Sequence, residues 1–193
     1  VLSAQKGKRG ASRRDPRPDW PRFPDPPRDG EGACKPREPG CLAYVAENRP
    51  LVAAALAANP GALALQRQLA DYDGYRRGFA PTFESEFPSF GSYRRLLTSS
   101  FALRFNTGGP LAAIEDTCHD LAGWRRVGGD SDDLVTSMIG VAWAREDLML
   151  LADMLEKTPR TAELPAECTR ALAPSEDCEY SLCPAFRSEF ALQ

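Results

Sequence analysis

Six cysteines in a chain of 193 residues constrain the fold more than any other feature. Cys34 and Cys41 flank the start of a helical region, and Cys168, Cys178 and Cys183 crowd its end. Cys118 stands alone in the middle beside His119, the only histidine. This layout predicts a domain stapled near both ends, and with it an oxidising compartment. Cys34 and Cys41 are close enough for a local bridge, as are Cys178 and Cys183. Cys168 can join either C-terminal cysteine or reach back to the N-terminal pair. Six cysteines admit fifteen connectivities. The preferred pairing joins Cys34 to Cys41 and places one bridge within the C-terminal trio, leaving one C-terminal cysteine and Cys118 over, either paired or free. A zinc site competes poorly, because the chain has no CxxC pair and one histidine. Reduced cytosolic thiols are the third reading.

Charge is distributed unevenly. Residues 1–40 carry ten Lys/Arg against six Asp/Glu, whereas residues 41–193 carry fourteen against twenty-one. The globular part is therefore acidic, which argues against nucleic acid as a partner. Arginine outnumbers lysine twenty to four, the coding signature of a high-GC genome and so of a bacterium. No apolar run is long enough to span a bilayer. The chain opens with Val1 and shows no signal peptide, so an N-terminal signal or membrane anchor is expected ahead of it. The basic cluster at Lys6, Lys8, Arg9, Arg13 and Arg14 runs against that expectation, since such charge marks the cytoplasmic side of an anchor.

Eight of the seventeen prolines fall within residues 1–40, with few apolar residues beyond Trp20 and Phe23. Such a segment cannot bury enough surface to offset the entropy of ordering, and it reads as a disordered, partly polyproline-II tether. From residue 41 the apolar spacing becomes helical. Pro50 predicts a break or restart, and Asn59-Pro60-Gly61 a stop followed by a start. Ser92 is the expected cap of a helix over 92–106. Gly108-Gly109-Pro110 begins another over 110–127. Asp130-Ser131-Asp132-Asp133 supplies caps for a long helix over 131–157. Short helices are expected near 165–172, 175–182 and 185–191. No alternating strand pattern competes. Residues 1–40 are thus a tether and 41–193 a single helical domain. The fold class is all-α: an irregular bundle of about five main helices with disulfide-tied short helices at the C-terminal end.

Few constellations carry chemistry. Cys118-His119 has the residue types of a nucleophile and base, but adjacent helical positions project away from one another. Cys118 falls on the Leu111, Ile114, Leu121 stripe and reads as a small buried thiol, with His119 and Asp120 on a solvated surface. The long helix places Leu134, Met138, Val141, Leu148, Ala152 and Leu155 on one stripe, taken as its core face, with Arg145 inside it. Arg104 similarly follows Leu97 and Phe101. A buried guanidinium must be paired, and Glu115, Asp116, Asp120, Asp132, Asp133 and Asp147 are the candidate partners. Tyr75, Phe83 and Phe87 belong to an aromatic-rich connection that covers a core edge or lines a groove. The candidate binding residues are accordingly Arg104, Arg145, Tyr75, Phe83 and Phe87. No phosphate-binding loop, zinc-protease or serine-hydrolase motif is present, and no cofactor or metal is expected.

The function expected from these features is protein–protein binding by an exported bacterial protein, periplasmic or tethered to the inner membrane. Such a protein would be an accessory, adaptor or immunity component of an envelope or secretion system. Its membrane contact would run only through an N-terminal anchor outside this sequence. The alternatives are a hydrolase or transferase holding an anionic substrate with Arg104 and Arg145, and a small-ligand carrier.

Overall fold

A computed structural model describes residues 32–35, 40–72, 74–75, 91–174 and 181–190. These residues form eight α-helices and no strand: α1 Cys41–Glu47, α2 Arg49–Ala57, α3 Pro60–Leu69, α4 Gly91–Asn106, α5 Pro110–Gly129, α6 Leu134–Glu156, α7 Ala166–Ala171 and α8 Cys183–Phe190. The all-α expectation holds. Residues 1–31 and 36–39 of the expected tether, with Trp20 and Phe23, the aromatic residues Phe83 and Phe87, residues 175–180 of the expected 175–182 helix and Cys178 lie outside the described residues. Ala33 and Cys34, read as the end of the tether, are instead buried in the core.

Local chemistry sets most boundaries. The break before α2 falls at Asn48, and Pro50 sits in the first turn of α2, where no backbone donor is needed. Pro60 and Pro110 occupy the same place in α3 and α5. Asn48 and Asn59 each close the preceding helix by donating a side-chain N–H to the carbonyl four residues back, Tyr44 at 2.9 Å and Ala55 at 2.8 Å. Gly108 turns the chain between α4 and α5 at φ +103°, a conformation few side chains tolerate. The long helix begins at Leu134, later than expected, because Asp133 takes the cap: its Oδ1 accepts the Thr136 N–H at 3.0 Å.

Helix α5 is the hub, packing against α6, α4 and α7. It buries Ile114, Cys118, Leu121 and Trp124 of the stripe expected from spacing, together with Thr117 and Asp120, while Leu111 at its start is exposed. The crossing of α5 and α6 is very close. A Cβ added to Gly140 would stand 2.6 Å from the Gly128 nitrogen and 2.7 Å from its Cα, so only glycine permits this approach. The end of α3 seats on α5 in the same way, with Ala70 against Gly123, and Arg126 donates to the Ala70 and Tyr72 carbonyls.

Among the described residues two disulfides are formed. Cys34–Cys41 appears as expected and pins the first loop, whose Cys34 N–H donates to Ser99 of α4 at 2.8 Å. The second joins Cys168 to Cys118, fifty residues upstream, and corrects the preferred bridge within the C-terminal trio, because Cys168 is taken and Cys183 is free. Cys118 is not a spare thiol, and both sulfurs are buried where α7 lies on α5. Arg125 strengthens the joint by donating to the Ala171 and Ala173 carbonyls at the end of α7. Cys183 is an exposed thiol at the start of α8.

Candidate functional site

Helix α6 turns the opposite way from the sequence expectation. Its inward face carries Ser137, Gly140, Ala144, Asp147, Leu151 and Met154. Its most apolar stripe faces out, with Met138 62%, Leu148 45% and Val141 42% exposed. Ala152 and Arg145 are exposed on the same side, and Leu134 and Leu155 are half-buried at its two ends. The physical reason lies in the α5 crossing. A seam of small side chains lets two backbones meet, and the bulky stripe cannot enter that gap.

Arg145 therefore sits in solvent at the centre of an apolar stripe and makes no ion pair or hydrogen bond among the described residues. Arg104 differs. It is half-exposed near the end of α4 and pairs with Asp116 of α5, one of the carboxylates expected as a partner. The two arginines occupy different helices, and no ligand-holding pair connects them among the described contacts. Tyr75 is half-buried, and its backbone pairs with Ser131 just ahead of α6, so this part of the aromatic connection packs over the core edge.

The guanidinium that is buried belongs to a residue the sequence reading passed over. Arg94 of α4 donates Nη1 to Asp120 of α5 and Nη2 to Asp147 of α6. All three residues are at most 2% exposed. The Arg94 guanidinium also lies 5.8 Å from the Trp124 ring and 6.0 Å from the Trp143 ring, and these indoles meet edge to face at 4.5 Å. One cation balances one of two carboxylates. Burial then pushes the Asp147 carboxyl up to about 7; Arg94 opposes the rise and Glu146 adds to it. Among the described residues Asp120 Oδ1, Asp147 Oδ2 and Arg94 Nε have no hydrogen-bond partner. Sealed from solvent, the cluster ties three helices together and presents nothing to a solute. Its one legible signal was Asp147 in step with Ser137, Gly140, Ala144 and Leu151, a second stripe at helical spacing.

His119 is on the surface, as expected, and its Nε2 contacts Asp71 at 2.9 Å. Asp120, placed beside it on that surface by the sequence reading, is buried instead. Among the described residues no group of three or more His, Cys, Asp or Glu side chains is arranged to hold a metal ion, and no helix is long and apolar enough to cross a membrane. The candidate functional site is the outward face of α6. The chain matches no family model, no curated protein and no solved structure.

Proposed function

We propose that this protein is an exported, disulfide-stapled helical module that binds another protein through the outward face of α6. The single observation carrying this reading is the solvent-facing row of Met138, Val141 and Leu148. Isolated exposed apolar side chains are ordinary, but a row along one helix marks an interaction surface. The two disulfides support an oxidising compartment, as in the periplasm, and leave the domain stable outside the cytosol. An anion-holding enzyme gains no support from the arginines. Asp116 occupies Arg104, and Arg145 stands on an outward helix face.

The test is a photo-crosslinking residue placed at Met138 or Leu148 of the full chain in its own cells, with a control at Arg160 in the segment after α6. A discrete protein adduct from the α6 positions and none from the control is the expected result. No adduct from either α6 position overturns the reading.

A further inference from the structure

The outward stripe of α6 has a spacing that says more than apolarity. Leu134, Met138, Val141, Arg145, Leu148, Ala152 and Leu155 follow one another by alternating steps of four and three residues. That is the repeat a helix needs to keep one seam against a neighbouring helix along its whole length. α6 is 23 residues long, and the exposed part of the seam runs from Met138 to Ala152 between its half-buried ends Leu134 and Leu155. One member is charged, and it lies at the middle of the run.

We infer that α6 is one strand of a heterotypic coiled coil, its partner an amphipathic helix with a carboxylate at the centre of its apolar seam and basic residues on its flank. This rests on the protein-binding reading above and names its partner. A helix laid along the seam buries Arg145, and a buried guanidinium without a counter-charge is strongly disfavoured. Among the described residues no carboxylate meets that need, because none pairs with Arg145. A carboxylate matches the fork of the guanidinium in two parallel hydrogen bonds. The requirement thus specifies both the sign and the register of the partner. The rest of the charge on α6 is acidic. Glu156 borders the seam, Glu146 and Asp153 lie farther round on the same side, and Arg145 is the only basic residue in the helix. The flank of the partner is basic by the same complementarity.

Two other occupants fit less well. Arg145 lies at the midpoint of the run from Leu134 to Leu155, so any fully overlapped two-fold pairing of α6 with a second copy brings the two guanidiniums together. Membrane-surface helices carry basic residues along the border of the apolar face, whereas α6 has no basic residue besides Arg145.

The probes are two synthetic three-heptad helices with leucine at the seam and lysine on the flanks, one with Glu and one with Lys at the central seam position. Binding to the full chain is read by fluorescence anisotropy. The Glu-centred helix should bind at least tenfold tighter than the Lys-centred one, and Arg145→Glu should reverse the order. Arg145 is exposed and has no partner among the described residues, so this variant should keep its thermal unfolding profile. Met138→Ser with Leu148→Ser should weaken both helices. Equal binding of the two helices, binding of neither, or an unchanged order in Arg145→Glu overturns the inference. So does self-association of the full chain through α6 in sedimentation, or uptake on phosphatidylglycerol vesicles that Met138→Ser abolishes. If crosslinks from Met138 and Leu148 persist while the helices show no charge preference, the protein-binding reading stands and only the partner chemistry falls.

Discussion

Arg94 of α4 and Asp147 of α6 form an ion pair from which solvent is excluded, their side chains 1% and 0% exposed. Asp120 of α5 shares the same guanidinium, so one cation holds three helices in register. Removing one member leaves the others charged and unpaired in the interior. Arg94→Met should therefore destabilise the fold by about 3–5 kcal/mol in urea unfolding. Combining it with Asp120→Leu and Asp147→Leu should recover much of that loss, because an apolar cluster of similar volume needs no counter-charge.

The pH dependence follows from the direction of the Asp147 shift, from 3.8 up to about 7. The folded state holds this proton more tightly than the unfolded chain does. Its stabilising contribution is complete below the unfolded value of 3.8 and is lost as pH rises through about 7. Asp147→Asn keeps the uncharged form at every pH. The wild type should thus lose stability relative to Asp147→Asn between about pH 5 and pH 8 in parallel denaturation curves. Equal slopes for the two proteins would show that the carboxyl does not titrate in this window.

The Cys118–Cys168 bridge closes a loop with a sequence separation of 50. Closing a loop of that length restricts the unfolded chain by about 4 kcal/mol in the chain-entropy account. Cys118→Ser with Cys168→Ser should lower unfolding stability by about 2–4 kcal/mol, mainly by releasing α7 from α5. Mass-spectrometric alkylation of the unfolded, unreduced protein should label at most two of the six cysteines, Cys183 among them.

Gly140→Ala tests the helix crossing. The added methyl meets the Gly128 backbone rather than a side chain that can swing away. The expected cost is about 1–3 kcal/mol by overpacking, against the small gain alanine brings to an exposed helix interior. Thermal unfolding of this variant beside Gly61→Ala, where the added atom meets nothing within 4 Å, separates the two effects.

Met138→Ser and Leu148→Ser should each change stability by less than about 0.5 kcal/mol, since both side chains are already in solvent. A loss of several kcal/mol in either variant would place the stripe in the core and remove the docking face.

The sequence by itself determined the helices and their joints. Asn48, Asn59, Gly108 and Asp133 act within a few residues of themselves, through caps and turns that local chain geometry fixes. The Cys34–Cys41 bridge was legible for the same reason, as was the inward stripe of α5, which has one apolar side to choose. Pairing across distance was not legible. Cys168 meets Cys118 because α7 folds back on α5, and Arg94 meets Asp147 because α4 and α6 share that neighbour. The face of α6 was decided by tertiary structure alone. Its apolar stripe, with Arg145 inside it, is the stronger signal in sequence. Closeness of approach prevailed over apolarity, because the contact of Gly140 with Gly128 admits only a seam of small side chains. Hydrophobicity belongs to one residue at a time, whereas the distance between two helix axes belongs to both helices at once.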